Sequence, residues 1–169
     1  GRKQLGKPFD IVNTLSYLNS VPQHATFWRR SLWERLGDLR EDLQFAMDGE
    51  YWIRAWLNGA SLHYLTGERA TYRLHENSKT ASGTIKHWLE RVKIADECLS
   101  QPKVKPHERM IRANLAYMLG KLYLEQGNRE EAKVWANKAI GSLPLHRRSL
   151  LMLLLWSDAY LNTAFLERF

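Results

Sequence analysis

Residues 22–37 read Pro-Gln-His-Ala-Thr-Phe-Trp-Arg-Arg-Ser-Leu-Trp-Glu-Arg-Leu-Gly, and the fold class of the first half turns on them. Gln23 to Trp28 is a short run with Thr and two aromatics after a proline, the composition of a buried strand. Ser31, with Glu34 three residues on, has the form of a capping box for a short helix that Gly37 ends. A strand feeding a helix makes this half mixed α and β.

Reading outward supports the same pattern. Upstream, apolar residues at 11, 12, 15 and 18 form a helical stripe within Phe9 to Leu18, which Pro22 breaks. Downstream, Asp38 to Gln44 is a polar loop, and a second helix runs from about Asp48 until Asn58-Gly59 stops it. Ser61 to Leu65 and Ala70 to Leu74 are strand candidates around a Thr66-Gly67 turn, and Glu76 to Gly83 reads as loop.

Near residue 84 the pattern becomes almost purely helical. Helices are expected over 85–99, 107–126, 129–140 and 147–166, with Pro102 and Pro106 in the first connection, Gly127-Asn128 in the second and Pro144 in the third. The expected domains are therefore residues 1–84 and 85–169.

Composition bounds the function. The chain has 169 residues, 44% apolar and 25% charged, ordinary values for a folded globular protein. Its net charge of +7 points to an anionic partner. The basic residues are dispersed, with only the short pairs Arg29-Arg30 and Arg147-Arg148, which argues against nucleic acid. Anionic lipid or a polyanionic substrate fits better, with peripheral contact at a membrane. Seven Trp include the close pairs Trp28/Trp33 and Trp52/Trp56; such rings stack on sugars but more commonly fill cores. One cysteine, Cys98, excludes an internal disulfide and a multi-cysteine zinc site, and fits a reducing, cytoplasmic location. The longest apolar run, Leu150 to Trp156, falls far short of the roughly 20 residues a membrane span needs. The chain opens on Gly1-Arg2-Lys3 without Met, as an excised piece of a longer protein does.

The helical half carries small and large residues at telling places. Counted from Ala113 as position one, Leu119 and Gly120 fall at seven and eight, Tyr123 at eleven, Gly127 at fifteen, Ala132 at twenty, Ala139 at twenty-seven and Pro144 at thirty-two. This resembles the 34-residue tetratricopeptide unit, except that Ala116 and Ala136 stand where large aromatics are usual. One such unit cannot bury its own face, so the flanking helices are expected to pack on it, with docking or self-association as its role.

The first half carries the chemistry. Its motifs are Pro22-Gln23-His24-Ala25-Thr26-Phe27-Trp28-Arg29-Arg30 with Trp33 and Gly37-Asp38-Leu39; then Phe45-Ala46-Met47-Asp48-Gly49-Glu50-Tyr51-Trp52-Ile53-Arg54; then Tyr72-Arg73-Leu74-His75-Glu76-Asn77-Ser78-Lys79-Thr80. In this order they resemble the acceptor-side portion of bacterial family 2 glycosyltransferases. These are inverting enzymes of the GT-A type that use nucleotide-diphosphate sugars. The resemblance implies an α+β fold: the C-terminal part of a GT-A-type α/β domain, followed by an all-α tetratricopeptide-like region.

What the resemblance implies residue by residue is specific. Asp48 would be the general base that takes the proton of the acceptor hydroxyl; read from spacing alone, it is a helix N-cap. Met47 stands where the family has a second acid. His75 would join a nucleotide-bound divalent cation, Mg or Mn; alone, it reads as a satisfied His at a strand end. Arg73 and Arg29, with Arg30, would offset diphosphate charge. Asp48 and Glu50 point roughly 200° apart on a helix and cannot share one ion, so Glu50 is expected to pair with Arg54.

No Asp-x-Asp and no Gly-rich strand-to-helix turn occurs, so the half that binds the nucleotide is expected to be a missing partner and this chain alone inert. The processive-synthase motif Gln/Arg-x-x-Arg-Trp is absent as well, which argues for transfer of a single sugar. The expected setting is cell-surface polysaccharide or glycan synthesis, with a glycan or lipid-linked acceptor. The competing reading is a non-catalytic, tetratricopeptide-type interaction scaffold.

Overall fold

The structure, a computed structural model, describes residues 7–16, 21–71, 84–142 and 149–161. The chain divides into two compact units, Gly1–Gly83 and Thr84–Phe169.

The first unit overturns the α+β expectation. Its described residues form helices and irregular segments, with no strand among them. Gln23–Ala25, expected to begin a strand, is one turn of 3-10 helix held by Thr26 N–H donating to the Gln23 carbonyl. Thr26 and Arg29 do have extended dihedrals, but a strand is stable only when a neighbour satisfies its backbone donors and acceptors. No described segment lies alongside as a ladder partner. Ser61 to Leu65 and the described start of the second candidate, Ala70 and Thr71, are likewise irregular; residues 72–74 lie outside the described residues.

Among its described residues three α-helices build this unit: α1 (Ile11–Ser16), α2 (Arg30–Leu36) and α3 (Met47–Leu57). Asp10 caps α1, its Oδ1 accepting from Asn13 N–H at 2.8 Å. The expected capping box at Ser31 does not form. The helix starts two residues earlier, with Arg29 at the N-cap position and no side-chain cap, and Glu34 instead pairs with Arg30 at 2.8 Å. Gly37 ends α2 at φ 77°, a conformation that costs glycine least. α1 and α2 both contact α3, and the core is Ile11, Leu15, Leu43, Ala46, Tyr51, Trp52, Ile53 and Ala55.

The described residues of the second unit stack four α-helices: α4 (Thr84–Cys98), α5 (Glu108–Glu125), α6 (Arg129–Gly141) and α7 (Ser149–Leu161). Gly127 turns the chain at φ 75°. Asn128 then caps α6 by accepting from Glu131 N–H, the start signal its position predicts. The α5–α6 hairpin closes on small residues: Ala113, Ala116, Ala132, Ala136 and Ala139 are buried. Gly120 marks the tightest approach, where an added Cβ would lie 2.8 Å from Leu155 Cδ2 of α7 and 3.5 Å from Ala136 N of α6. This packing is compatible with a tetratricopeptide-like hairpin. Pro144 lies outside the described residues.

Polar bonds fix α7 onto α6. Arg129 donates to the carbonyls of Asp158 and Ala159, near the end of α7 where backbone acceptors lack helical partners. The Asn137 amide donates to Tyr160 Oη at 2.6 Å and accepts from Trp156 Nε1 at 3.1 Å.

Candidate functional site

The candidate site surrounds the first turns of α3. Asp48 is half-buried and sits one residue inside the helix, not at its cap. Ala46 occupies the N-cap position, so the capping reading of Asp48 fails. Its Oδ1 accepts from Gly49 N–H at 2.6 Å. Asp48 thus stands in the first turn of α3, at the end of the helix where backbone N–H groups point outward.

Arg54 fastens the elements around it. Its Nε and Nη2 donate to both oxygens of Glu50, at 2.9 and 3.1 Å, the pairing expected from their spacing. Its Nη1 also donates to the Leu36 carbonyl, and Nη2 to the Asp38 carbonyl at 2.8 Å. One guanidinium thus ties the end of α2 and the Gly37-Asp38 turn to α3. Hydrogen bonds to a charged group contribute about 1.5–3 kcal/mol each, so Arg54 is the main polar link between the first two motifs. Trp33 Nε1 adds a bond to Asp38 Oδ1 at 2.7 Å.

Over this frame lies an aromatic cluster. Trp28 packs at 5.9 Å from Tyr51 and 5.4 Å from Trp52, which contact each other edge-on at 5.6 Å. Tyr51 and Trp52 are buried, yet Tyr51 Oη and Trp52 Nε1 have no hydrogen-bond partner among the described residues. Burial pushes the Tyr51 phenol up, the Arg54 guanidinium opposing, so Oη is a neutral hydroxyl at pH 7. Leaving such a group unpaired costs about 1–3 kcal/mol. Phe27, 88% exposed, and the exposed Trp28 and Trp33 complete an open aromatic face.

The remaining expected site residues fare differently. Arg29 is exposed at the N-cap position of α2. Arg73 and His75 lie outside the described residues, so the third motif is not placed against the first two. Among the described residues no three His, Cys, Asp or Glu side chains are grouped to hold a metal ion. The orphaned Tyr51 and Trp52 atoms and the long-range Arg54 bonds were not foreseen; only the density of aromatics hinted at the former. No family model, curated protein or solved structure matches the chain.

Proposed function

We propose that this chain is the acceptor-side portion of a family 2-type glycosyltransferase, moving a sugar from a nucleotide-diphosphate donor to an acceptor hydroxyl with inversion. The observation that carries the reading is the Arg54 tie, which holds α2, the Gly37-Asp38 turn and the Asp48 helix as one assembly. In the proposed step the acceptor oxygen bonds to the anomeric carbon as the diphosphate leaves with the electron pair of the broken bond. Asp48 takes the hydroxyl proton. A positioned carboxylate suffices, because the oxygen becomes acidic only as the new bond forms.

The open aromatic face and the unpaired Tyr51 and Trp52 atoms support a surface that the nucleotide-binding half covers. On the resemblance, a divalent cation, Mg or Mn, would neutralise the departing diphosphate, with His75 as a protein ligand and Arg29 and Arg73 beside the phosphates. The described residues add no further ligand cluster.

Asp48→Asn tests the base in the polypeptide that includes the nucleotide-binding half. It is nearly isosteric and keeps the acceptor oxygen facing Gly49 N–H. Transfer is expected to fall roughly 100-fold or more, the scale of lost general-base catalysis, while donor binding and fold persist. Wild-type turnover by the asparagine variant removes Asp48 from this role.

A further inference from the structure

We propose that Tyr51 and Trp52 bind the acceptor as a neutral sugar ring, Tyr51 Oη and Trp52 Nε1 bonding its hydroxyls once the Trp28 ring swings from over them. This rests on the glycosyl-transfer reading of Asp48 and names the groups that meet the substrate beside it. Asp48, Tyr51 and Trp52 stand at i, i+3 and i+4 of α3. Residues so spaced share one helix face, with Cβ atoms roughly 5–6 Å apart. The proton acceptor and the two unspent polar groups therefore line one strip of α3, a turn apart. Both groups are nine-tenths buried and lack a partner among the described residues, a cost that a bound hydroxyl removes. Their cover is loosely tied. Trp28 lies 5.9 Å from the Tyr51 ring and 5.4 Å from the Trp52 ring, is 44% exposed, and makes no hydrogen bond among the described residues.

Chemistry selects the occupant. A neutral phenol both gives and takes a hydrogen bond, and an indole N–H gives one. Asp38 adds a carboxylate: its charge bears on the Tyr51 phenol, and it spends Oδ1 on Trp33 Nε1 at 2.7 Å. The neighbouring cation is already engaged. The Arg54 guanidinium, 4.9 Å from the Tyr51 ring centroid, is held by Glu50 and two backbone carbonyls. Neutral donors beside a carboxylate repel a phosphate. A sugar ring instead offers hydroxyls to the polar groups and C–H faces to the exposed rings of Trp28 and Trp33. The subsite opens on the face that the nucleotide-binding half closes, where donor and acceptor have to meet.

Heteronuclear NMR of the full chain, following its seven Trp indole N–H signals, tests this. The probes are methyl β-glycosides of glucose, galactose and N-acetylglucosamine, up to about 50 mM, because one sugar ring held by a few bonds has a dissociation constant on the order of 10 mM. At least one glycoside is expected to move the Trp28 signal and the Trp52 signal, the latter identified by its loss in Trp52→Phe. Tyr51→Phe and Trp52→Phe keep an aromatic ring and should each weaken binding by roughly fivefold or more, the scale of one lost hydrogen bond. Neither should lose the urea midpoint of the wild type through a broken bond, since neither group makes one within the described residues. In the polypeptide that includes the nucleotide-binding half, Tyr51→Phe should raise the acceptor KM more than it lowers kcat. Glycoside binding without any transfer refutes the transferase reading and leaves the sugar subsite standing. Signals that no glycoside moves, an affinity unchanged in both variants, or pyrophosphate moving the Trp52 signal in their place overturns the proposal. So does a lower unfolding midpoint for Tyr51→Phe in the longer polypeptide alone, because the covering half then pairs the hydroxyl.

Discussion

The two units solve the packing problem with opposite residue types. The second closes its helices on alanine and glycine, so backbones approach, with the half-buried rings of Tyr117, Tyr123 and Trp135 packed against the small-residue clusters. The first gathers Trp28, Tyr51 and Trp52 around α3, buries two polar atoms without partners among the described residues and leaves Phe27 and Trp33 in water. Small-residue packing is complete within its own unit. On the proposed function, aromatic packing of this kind is the part a covering half would complete, because native interiors pair nearly all buried polar groups.

The sharpest way to break the contrast is at Gly120. A valine there places two further carbons beyond a Cβ already 2.8 Å from Cδ2 of the fully buried Leu155. Overpacking at such a site costs about 3 kcal/mol, more than the roughly 1 kcal/mol that losing a helical glycine returns. Hydrogen exchange should show the loss in α5, α6 and α7 while α3 keeps its protection. Unchanged exchange in those helices refutes the close-packed seam.

Acid probes the second unit at an intermediate scale. His87 of α4 is pushed down from 6.5 to about 4, first by burial and then by the Arg91 cation. The geometry agrees, since Arg91 Nε donates to His87 Nε2 at 3.1 Å and needs that nitrogen unprotonated. A depressed histidine means the unfolded chain binds the proton more readily. Its stabilising contribution is therefore full above pH 6.5 and lost as pH falls from 6.5 towards 4. At 1.36 kcal/mol per unit the loss is about 2–3 kcal/mol. His87→Gln, which keeps an acceptor for Arg91 but cannot titrate, should flatten the fall of the urea midpoint between about pH 7 and pH 4.5. An equal fall in the variant would assign the acid sensitivity elsewhere.

The same contrast explains what could be read from sequence. Gly37, Gly59 and the Gly127-Asn128 turn act through their own backbone, so helix ends were legible. So was the Glu50–Arg54 pair, four residues apart on one helix. The expected strands were a misreading, because a run such as Gln23 to Trp28 becomes a strand only against a neighbour that its own residues do not specify. Arg54 reaches Leu36 and Asp38 across 18 and 16 positions, a closure no local pattern encodes. Asp48 was legible as a candidate, but its place inside the helix was not, since Ala46 at the cap offers no side-chain signal.

The smallest expected effect carries the most information about the first unit. Phe27 is 88% exposed, so Phe27→Ser removes almost no buried apolar surface from this chain. Its unfolding free energy should move by no more than about 0.5 kcal/mol, the usual range for a surface site. The proposed cover changes the sum. If the nucleotide-binding half packs on the aromatic face, Phe27 is a core residue in the longer polypeptide, and the same substitution should cost about 3 kcal/mol there. The informative quantity is the difference between two denaturation experiments on one substitution, one with the covering half and one without. A near-zero cost in both would mean that Phe27 stays in water and that the open face is not the seat of the missing half.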